Sequence, residues 1–179
     1  MNTFRYVSYT HLDVYKRQDT VTATPSIDPA AAGQNADRND AVLLHACRID
    51  ASQVPDLVPV LAVVAAASVG TTEIYNAGRL RIKESDRIAA MRDCLERLGV
   101  SVEEREEGML IHGKGGTEKK EIQHAVVSGF NDHRIVMAMT VAAVALGVEV
   151  TIQGAEAVEK SYPTFFREFE RLGGITNVL

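Results

Sequence analysis

The chain has 179 residues and a mass of 19.5 kDa, which is room for one ordinary domain and too little for most two-domain enzymes. Its 19 basic and 24 acidic side chains give a formal charge of −5, which argues against nucleic-acid binding through a general basic face and restricts any anion site to a local cluster. No apolar run approaches the roughly 20 residues that a membrane span needs. The two cysteines, Cys47 and Cys94, have neither a disulfide framework nor zinc-ligand spacing, so the sequence predicts reduced thiols in a cytoplasmic protein without a metal site.

Residues 1–18 differ in composition from the rest of the chain. They hold three of the five tyrosines and show neither apolar periodicity nor the apolar core of a signal peptide. The stretch SYTHLDVYKRQ resembles translated adapter sequence, so we expect residues 1–18 to be a non-native leader; the alternative is a natural terminal tail. Residues 19–50 are polar and rich in Asp and Ala up to a short apolar patch, which predicts a loop leading into a strand.

An internal repeat organises the chain from residue 51 onward. Two alanine-rich helical runs end at Gly70 and Gly147, 77 residues apart, and both glycines are predicted to terminate their helices in the left-handed conformation. Each is followed by a strand pattern, a lysine and a second amphipathic helix that ends at Gly99 or Gly173. The same offset aligns polar positions: Asp56 with His133, and Lys83 with Lys160.

Further strands are predicted at residues 100–104, 109–112 and 122–127, which gives the order β-α-β-α-β-β and then β-α-β-α. This order predicts an α/β fold of repeated units, at about residues 42–127 and 128–179, in which small sheets pack on pairs of helices. The helices at residues 57–69 and 135–146 are apolar nearly all round and are predicted to be buried. The second unit ends without its two closing strands, so we expect an incomplete fold whose second sheet needs strands from elsewhere.

Polar residues cluster where the predicted helices begin. Lys83, Glu84 and Arg87 share one face of an opening turn, and Asn131 or Asp132 caps a helix whose first residues are His133 and Arg134. Lys160 precedes a helix that starts at or near Pro163, and Asp56 precedes the first buried helix and is positioned to act as a base. Because helix starts leave backbone N–H groups free, these clusters are candidate anion sites.

Each cluster alone has a structural interpretation. Acidic residues in a first helical turn complement the helix dipole, an Asp after Pro is commonly a cap, and an isolated lysine is commonly solvated. The functional interpretation is favoured because four polar clusters occupy equivalent points of a repeat whose helices are otherwise apolar.

Four strings in register carry a family resemblance: IDASQVPDLVPVLA, LRIKESDRI, NDHRIVMAMTVAA and EKSYPTFF. Over residues 48–179 they closely resemble the 5-enolpyruvylshikimate-3-phosphate synthase family. The resemblance implies an enzyme of two domains, each an inverse α/β barrel of three β-α-β-α-β-β units, with the active site between them. Residues 19–179 then correspond to the C-terminal part of the second domain, without the first domain and without the N-terminal strand that completes the second.

The resemblance also implies a reaction and a role for each cluster. The family transfers the enolpyruvyl group of phosphoenolpyruvate to the 5-hydroxyl of shikimate 3-phosphate and releases phosphate, in the pathway to aromatic amino acids. Asp56 matches the residue that takes the hydroxyl proton, and Glu84 matches the one that protonates and later deprotonates the methylene carbon. The remaining matches are substrate ligands: Lys83 for shikimate 3-phosphate, Arg87 and Arg134 for the phosphoenolpyruvate carboxylate, and Lys160 and His133 near its phosphate. No cofactor or metal is implied, and the full-length enzyme is expected to be a cytoplasmic monomer.

Parts of the family pattern have no counterpart here. The first-domain lysine, arginine and serines that bind substrates are absent, so the chain alone is expected to be inactive. The stretch Asn76-Ala77-Gly78-Arg79 allows more than one alignment, and its contact with shikimate 3-phosphate is assigned loosely. Two alternatives stay open: a sister enolpyruvyl transferase that acts on UDP-N-acetylglucosamine, and a non-catalytic module that binds phosphorylated anions.

Overall fold

The computed structural model describes residues 20–24, 44–115 and 122–178. The predicted leader at residues 1–18 and most of the predicted loop up to residue 43 lie outside the described residues. Within the described ranges the strands are β1 (Thr20–Thr24), β2 (Arg48–Asp50), β3 (Val69–Tyr75), β4 (Ser101–Arg105), β5 (Gly108–Lys114), β6 (His124–Ser128), β7 (Glu149–Gln153) and β8 (Ile175–Val178). The helices are α1 (Val58–Ala67), α2 (Arg87–Arg97), α3 (His133–Leu146) and α4 (Phe165–Arg171).

The first sheet has the strand order β2-β3-β5-β4. Strands β2 and β3 are parallel and are joined across the sheet by α1, whereas β5 is antiparallel to β3 and forms a hairpin with β4. Thr72 and Ile74 alternate with more exposed residues along β3, which is the pattern of a strand with one face on the core. Glycine is required at Gly108, since a Cβ there would lie 1.9 Å from the carbonyl oxygen of Ile74.

The second sheet has the order β6-β7-β1-β8. Strands β6 and β7 are parallel and joined by α3, and β1 lies antiparallel between β7 and β8. Three expectations are corrected here. The strand predicted at residues 122–127 as the close of the first unit pairs with β7 in the second sheet, and the chain continues after α4 into β8. The N-terminal strand that was expected to be missing is supplied by β1, which takes the place that β5 has in the first sheet.

The structure repeats with the offset that the sequence shows. A short 3-10 turn follows the second strand of each unit, at Gly78–Ile82 and at Ala155–Lys160, and these turns start 77 residues apart. The prediction of an α/β fold with small sheets on helix pairs is confirmed. Within the described residues the two sheets remain separate and form no closed barrel.

Helices α1 and α3 pack against each other in the centre of the molecule, with α2 beside them. Their buried faces carry small and β-branched side chains, such as Ala62, Ala66, Ala138 and Ala142, which allow close approach. Both helices are buried as predicted except along one face, which the described elements leave uncovered. That face is a stripe of half-exposed apolar side chains: Leu57, Val60, Val64, Val141 and Val144.

The predicted helix ends are partly confirmed. Gly147 ends α3 in the left-handed conformation, with φ 62°, as expected. Gly70 does not end α1: the helix stops at Ala67 because Ser68 is already extended, and Gly70 lies inside β3 with φ 97°. Pro163 is not in the first turn of α4, since Thr164 is the N-cap and the helix begins at Phe165.

No helix in the described part of the chain is long and apolar enough to cross a membrane.

Candidate active site

The starts of three helices meet at one point, and the side chain of Arg87 lies at their centre. Asp56 is in the 3-10 turn before α1, Arg87 is the first residue of α2, and Asp132 is the N-cap of α3. The Arg87 side chain is 1% exposed and donates to carboxylates from all three places. The bonds run from Nη1 to Asp56 Oδ1 at 2.9 Å, from Nη2 to Glu84 Oε2 at 2.6 Å, and from Nε to Asp132 Oδ2 at 2.8 Å.

Asp132 is the fully buried carboxylate of this cluster. Besides the two bonds from Arg87, it accepts hydrogen bonds from the Ser85 hydroxyl at 3.0 Å and from the backbone N–H of Arg134 at 2.9 Å. Of the two predicted caps, Asn131 and Asp132, it is Asp132 that caps α3. Burial alone would raise the pKa of Asp132, but the hydrogen bonds from Arg87 and Arg134 and the charge of Arg87 outweigh it and lower the pKa. The group is therefore ionised at neutral pH and ties α2 to α3.

Asp56 lies at the open side of the cluster, where its carboxylate is 49% exposed. Arg134 Nη2 is 3.2 Å from Asp56 Oδ2, and Lys83 Nζ is 3.8 Å from Asp56 Oδ1. Partial burial acts to raise the pKa of Asp56, but the hydrogen bond from Arg87 and the charges of Arg134 and Lys83 outweigh it and lower the pKa. The carboxylate of Asp56 thus lies among three cations, Arg87, Arg134 and Lys83.

Glu84 lies beside this open side, just before α2. Its carboxylate is 44% exposed and bonds to Arg87, as the spacing of the two residues predicts. Lys83 and Arg134 are 35% and 32% exposed. These three side chains, together with Asp56, form the part of the cluster that solvent reaches.

Lys160 joins the cluster through Asn131, the neighbour of Asp132. Its Nζ donates to the backbone oxygen of Asn131 at 2.7 Å and to the side-chain oxygen at 2.6 Å. Phe130 and Asn131 both have left-handed backbones, with φ 51° and 55°, which is strained for residues other than glycine. Lys160 lies at the end of a 3-10 turn, five residues before α4, so it does not sit directly before a helix as predicted.

His133 is placed differently from the other predicted residues. It is the first residue of α3 and is buried, and its Nδ1 has no hydrogen-bond partner. Direct contacts therefore join five of the predicted residues: Asp56, Lys83, Glu84, Arg87 and Arg134. Lys160 is connected to them through Asn131, whereas the Nδ1 atom of His133 makes no hydrogen bond with any described residue.

Some residues of the cluster were missed by sequence reasoning. Asp132 was considered only as a cap, and the hydroxyl of Ser85 was not considered at all. An acidic residue at the start of a helix that is apolar all round is a usable signal for Asp132, because such a carboxylate is carried into the interior and needs a cation there. Sequence offers no comparable signal for Ser85, whose partner lies 47 residues away.

The arrangement favours anion binding and proton transfer. Lys83, Arg134 and Lys160 offer N–H donors that solvent reaches, and the half-exposed carboxylates of Asp56 and Glu84 lie beside them. The guanidinium of Arg87 uses four of its five N–H donors on carboxylates. In this state it holds the site together rather than presenting free donors.

Comparison with known proteins identifies the relatives of this chain. A family model described as EPSP synthase (3-phosphoshikimate 1-carboxyvinyltransferase) matches residues 20–169. The 3-phosphoshikimate 1-carboxyvinyltransferases of Clostridium acetobutylicum and Clostridium novyi are 53% and 50% identical over 130 and 131 residues, in each case 73% of this chain. The crystal structure of EPSP synthase from Acinetobacter baumannii matches 76% of the chain with a TM-score of 0.67 and 33% identity.

These matches cover only part of each relative. The chain spans 29% of the length of the two clostridial relatives and 32% of the Acinetobacter chain. The family match itself extends over most of the chain and includes all of the motifs that form the cluster at the helix starts. The chain therefore belongs to the EPSP synthase family.

Proposed function

We propose that this chain is the part of an enolpyruvyl transferase that binds phosphoenolpyruvate and supplies the proton-transfer groups for its reaction with shikimate 3-phosphate. The observation that carries the proposal is the convergence of Lys83, Arg87 and Arg134 with the carboxylates of Asp56 and Glu84 at the starts of three helices. A substrate with several negative charges needs such a cluster of cations, and the reaction needs carboxylates beside it.

Anion binding is assigned to the exposed cations. Arg134 presents a planar fork that suits the carboxylate of phosphoenolpyruvate, and Lys160 presents a point charge that suits its phosphate. Lys83 is the candidate ligand of shikimate 3-phosphate, and Arg87 supports both by fixing Asp56, Glu84 and Asp132. His133, which is buried next to Arg134 in the chain, is the candidate neighbour of the same phosphate.

Proton transfer is assigned to the two carboxylates. In the addition step the 5-hydroxyl oxygen bonds to C2 of phosphoenolpyruvate, its proton passes to Asp56, and C3 receives a proton from protonated Glu84. In the elimination step C3 returns a proton to Glu84 and the double bond re-forms. The C2–O bond to phosphate breaks, its electron pair leaves with the phosphate, and the released phosphate takes up the proton that Asp56 accepted. One carboxylate thus serves as acid and then as base at the same carbon.

The contacts of Asp56 suggest how its basicity changes during the reaction. Asp56 is held by Arg87, Arg134 and Lys83, whose hydrogen bond and charges lower its pKa and make it a weak base. When the carboxylate of phosphoenolpyruvate takes Arg134, Asp56 loses one of these cations and its affinity for a proton rises. Substrate binding then prepares the base that the next step uses.

A hybrid synthase tests the proposal. Residues 48–178 of this chain replace the matching segment of the Clostridium acetobutylicum enzyme, which is 53% identical over 130 residues. Phosphate release from phosphoenolpyruvate is measured with shikimate 3-phosphate or with UDP-N-acetylglucosamine as acceptor. We expect turnover with shikimate 3-phosphate only.

The matched variants are Glu84→Gln and Glu96→Gln, the latter an exposed glutamate on the surface of α2. Because general acid and base groups contribute roughly 10²–10⁴-fold, Glu84→Gln is expected to lower kcat in that range, and Glu96→Gln to leave it unchanged. A folded hybrid that binds phosphoenolpyruvate without turnover would contradict the proposal and favour a module that only binds anions. Turnover with the nucleotide sugar would indicate the sister enzyme.

A further inference from the structure

A second ionic cluster lies next to the candidate site and is centred on Arg81, in the 3-10 turn Gly78–Ile82. The guanidinium makes four bonds with three of its nitrogens. Nη1 donates to Asp86 Oδ2 at 2.9 Å and to Glu104 Oε1 at 2.8 Å, Nε donates to the backbone oxygen of Glu106 at 2.8 Å, and Nη2 donates to that of Arg105 at 2.6 Å. None of these partners belongs to the candidate site.

Residues 82–85 form a segment between Arg81 and Asp86, and the bond between these two side chains joins its two ends. This segment carries Lys83 and Glu84, which are assigned above to substrate binding and proton transfer. Asp86 itself is fixed, because its Oδ1 caps α2 by accepting from the N–H groups of Ile88 and Ala89, each at 3.1 Å. Arg81 therefore ties the entrance of the segment to the helix that follows it.

The other bonds of Arg81 fasten the same segment to the turn between β4 and β5. Arg105 is the last residue of β4 and Glu106 the first residue of the turn, and the N–H of Ala77 donates to the backbone oxygen of Glu107 at 2.8 Å. The turn belongs to a hairpin whose strands are paired from Ser101 to His112. The first sheet thus supports the segment through Arg81.

The side chains of the segment are largely outside the hydrophobic core. Its one large apolar residue, Ile82, is 86% exposed, and the side chains of Lys83 and Glu84 are more than a third exposed. The other polar contacts of the segment converge at its far end, on the cluster around Arg87: Ser85 and Arg87 bond to Asp132, Glu84 bonds to Arg87, and Lys83 Nζ lies 3.8 Å from Asp56 Oδ1. A segment held at both ends by polar bonds and free of core packing loses its order when either end is released.

We propose that Arg81 is a positioning residue that holds the segment 82–85 in one conformation and so aligns Glu84 and Lys83 for the reaction. The alignment of catalytic groups rests on the proposed function, whereas the ordering of the segment does not. Arginine suits this task because its planar fork reaches two carboxylates and two backbone oxygens together, which a lysine ammonium does not.

The first experiment measures backbone order in the chain itself. Amide ¹⁵N relaxation is recorded for the 179-residue chain and for Arg81→Met, Arg81→Lys and the control Arg97→Met. Arg97 makes an exposed pair with Asp93 on α2 and has no bond to the segment. We expect the order parameters of residues 82–85 to fall from about 0.85 to below about 0.6 in Arg81→Met, with those of α2 unchanged. Arg81→Lys is expected to be intermediate and Arg97→Met unchanged.

The second experiment uses the hybrid synthase described above. Because misplacement of a catalytic group by about 1 Å costs up to ~10²-fold, Arg81→Met is expected to lower kcat at least about tenfold with little change in the KM for phosphoenolpyruvate. Arg81→Lys is expected to recover part of the loss. Arg97→Met is expected to leave both constants unchanged.

The outcomes separate the two proposals. An inactive hybrid with Arg81 in place, whose segment still loses order in Arg81→Met, contradicts the proposed function and leaves the ordering role of Arg81 standing. Unchanged order parameters in the segment overturn the positioning role. A loss of order throughout α2 together with the segment also overturns it, since Arg81 is then a general stabiliser of the fold.

Discussion

The carboxylate of Asp132 is fully buried, and its cationic partner Arg87 is buried with it. Removing the charge of one partner leaves the other uncompensated in the interior, which costs about 3–5 kcal/mol. We therefore expect Asp132→Asn to lower the free energy of unfolding of this chain by an amount in that range, measured by urea denaturation. Asp93→Asn, which breaks an exposed pair on the surface of α2, is the control and is expected to cost less than about 1 kcal/mol. A loss below about 1 kcal/mol in Asp132→Asn would contradict the role given to the pair.

The same residue sets an expected pH dependence. The pKa of Asp132 is lower in the folded chain than its ordinary value of 3.8. At a pH between the folded and the unfolded pKa of Asp132, the unfolded chain is protonated at this group and the folded chain is not. The stabilisation by the ionised group is therefore complete above about pH 5 and is lost as the pH falls through the folded pKa. We expect the stability difference between the native chain and Asp132→Asn to shrink as the pH is lowered from about 5 toward 2. A difference that stays constant over this range would show that the charge of Asp132 contributes nothing.

Arg134 offers a test of whether its helix start binds an anion. Lysine at this position keeps the charge and loses the paired donors of the guanidinium, so Arg134→Lys in the hybrid synthase is expected to raise the KM for phosphoenolpyruvate roughly ten- to a hundredfold. The measurement is made at fixed salt, with Arg171→Lys, an exposed arginine at the end of α4, as the control. A change below about twofold would make Arg134 a structural residue.

For single residues, the sequence indicates which ones belong to the candidate site but not which partners they bond to. Asp56, Arg87 and Arg134 are recognisable because each stands at a helix start, where caps and periodicity are visible in the sequence. The burial of Arg87 is not visible, since its carboxylate partners are 31 and 45 residues away and are brought to it by two other helices. A pattern within one helix carries no information about such contacts.

Among the elements, the contact between β5 and the end of α1 depends on a missing side chain. A Cβ on Gly113 would lie 2.1 Å from the backbone oxygen of Ser68 and 2.4 Å from that of Ala65. Because backbone atoms do not move aside cheaply, Gly113→Ala is expected to destabilise the chain by about 1–3 kcal/mol or more in urea denaturation. Gly78→Ala is the matched control, since the Cβ there meets only the flexible side chain of Glu107 at 3.3 Å. Equal stability of the two variants would contradict this packing.

The elements themselves were largely predictable, and the errors have identifiable causes. Helices α1 and α3 and the repeat offset follow from apolar periodicity. The error at Gly70 arose because a glycine after a helical run predicts a left-handed cap, whereas the pairing of Val69 with Lys114 begins a strand there. The strand at β6 was assigned to the wrong sheet because neighbours in sequence usually pair, and here the partner of β6 lies beyond α3.

For the molecule as a whole, the stripe of exposed apolar side chains on α1 and α3 predicts association. Val64 and Val141 hold equivalent positions in the two repeats and are 43% and 37% exposed. Contiguous apolar surface of this kind marks an interaction site. We expect the chain alone to self-associate in sedimentation velocity experiments at tens of micromolar, and the double variant Val64→Lys/Val141→Lys to sediment as a monomer. Val126→Lys, at an exposed valine on β6, is the control and is expected to behave as the native chain. Equal sedimentation of native and double variant would contradict this role of the stripe.

The place of β1 in the second sheet has a consequence for the order of folding. The first sheet uses strands from one continuous stretch of chain, from β2 to β5, so its contacts close short loops. In the second sheet β1 is hydrogen-bonded on one side to β7 and on the other to β8, the last strand described. Its pairing must close a loop that contains the entire first unit, which makes it entropically the slowest contact to form. During synthesis we therefore expect the second sheet to be completed only after β8 has been made, whereas the first unit can fold earlier.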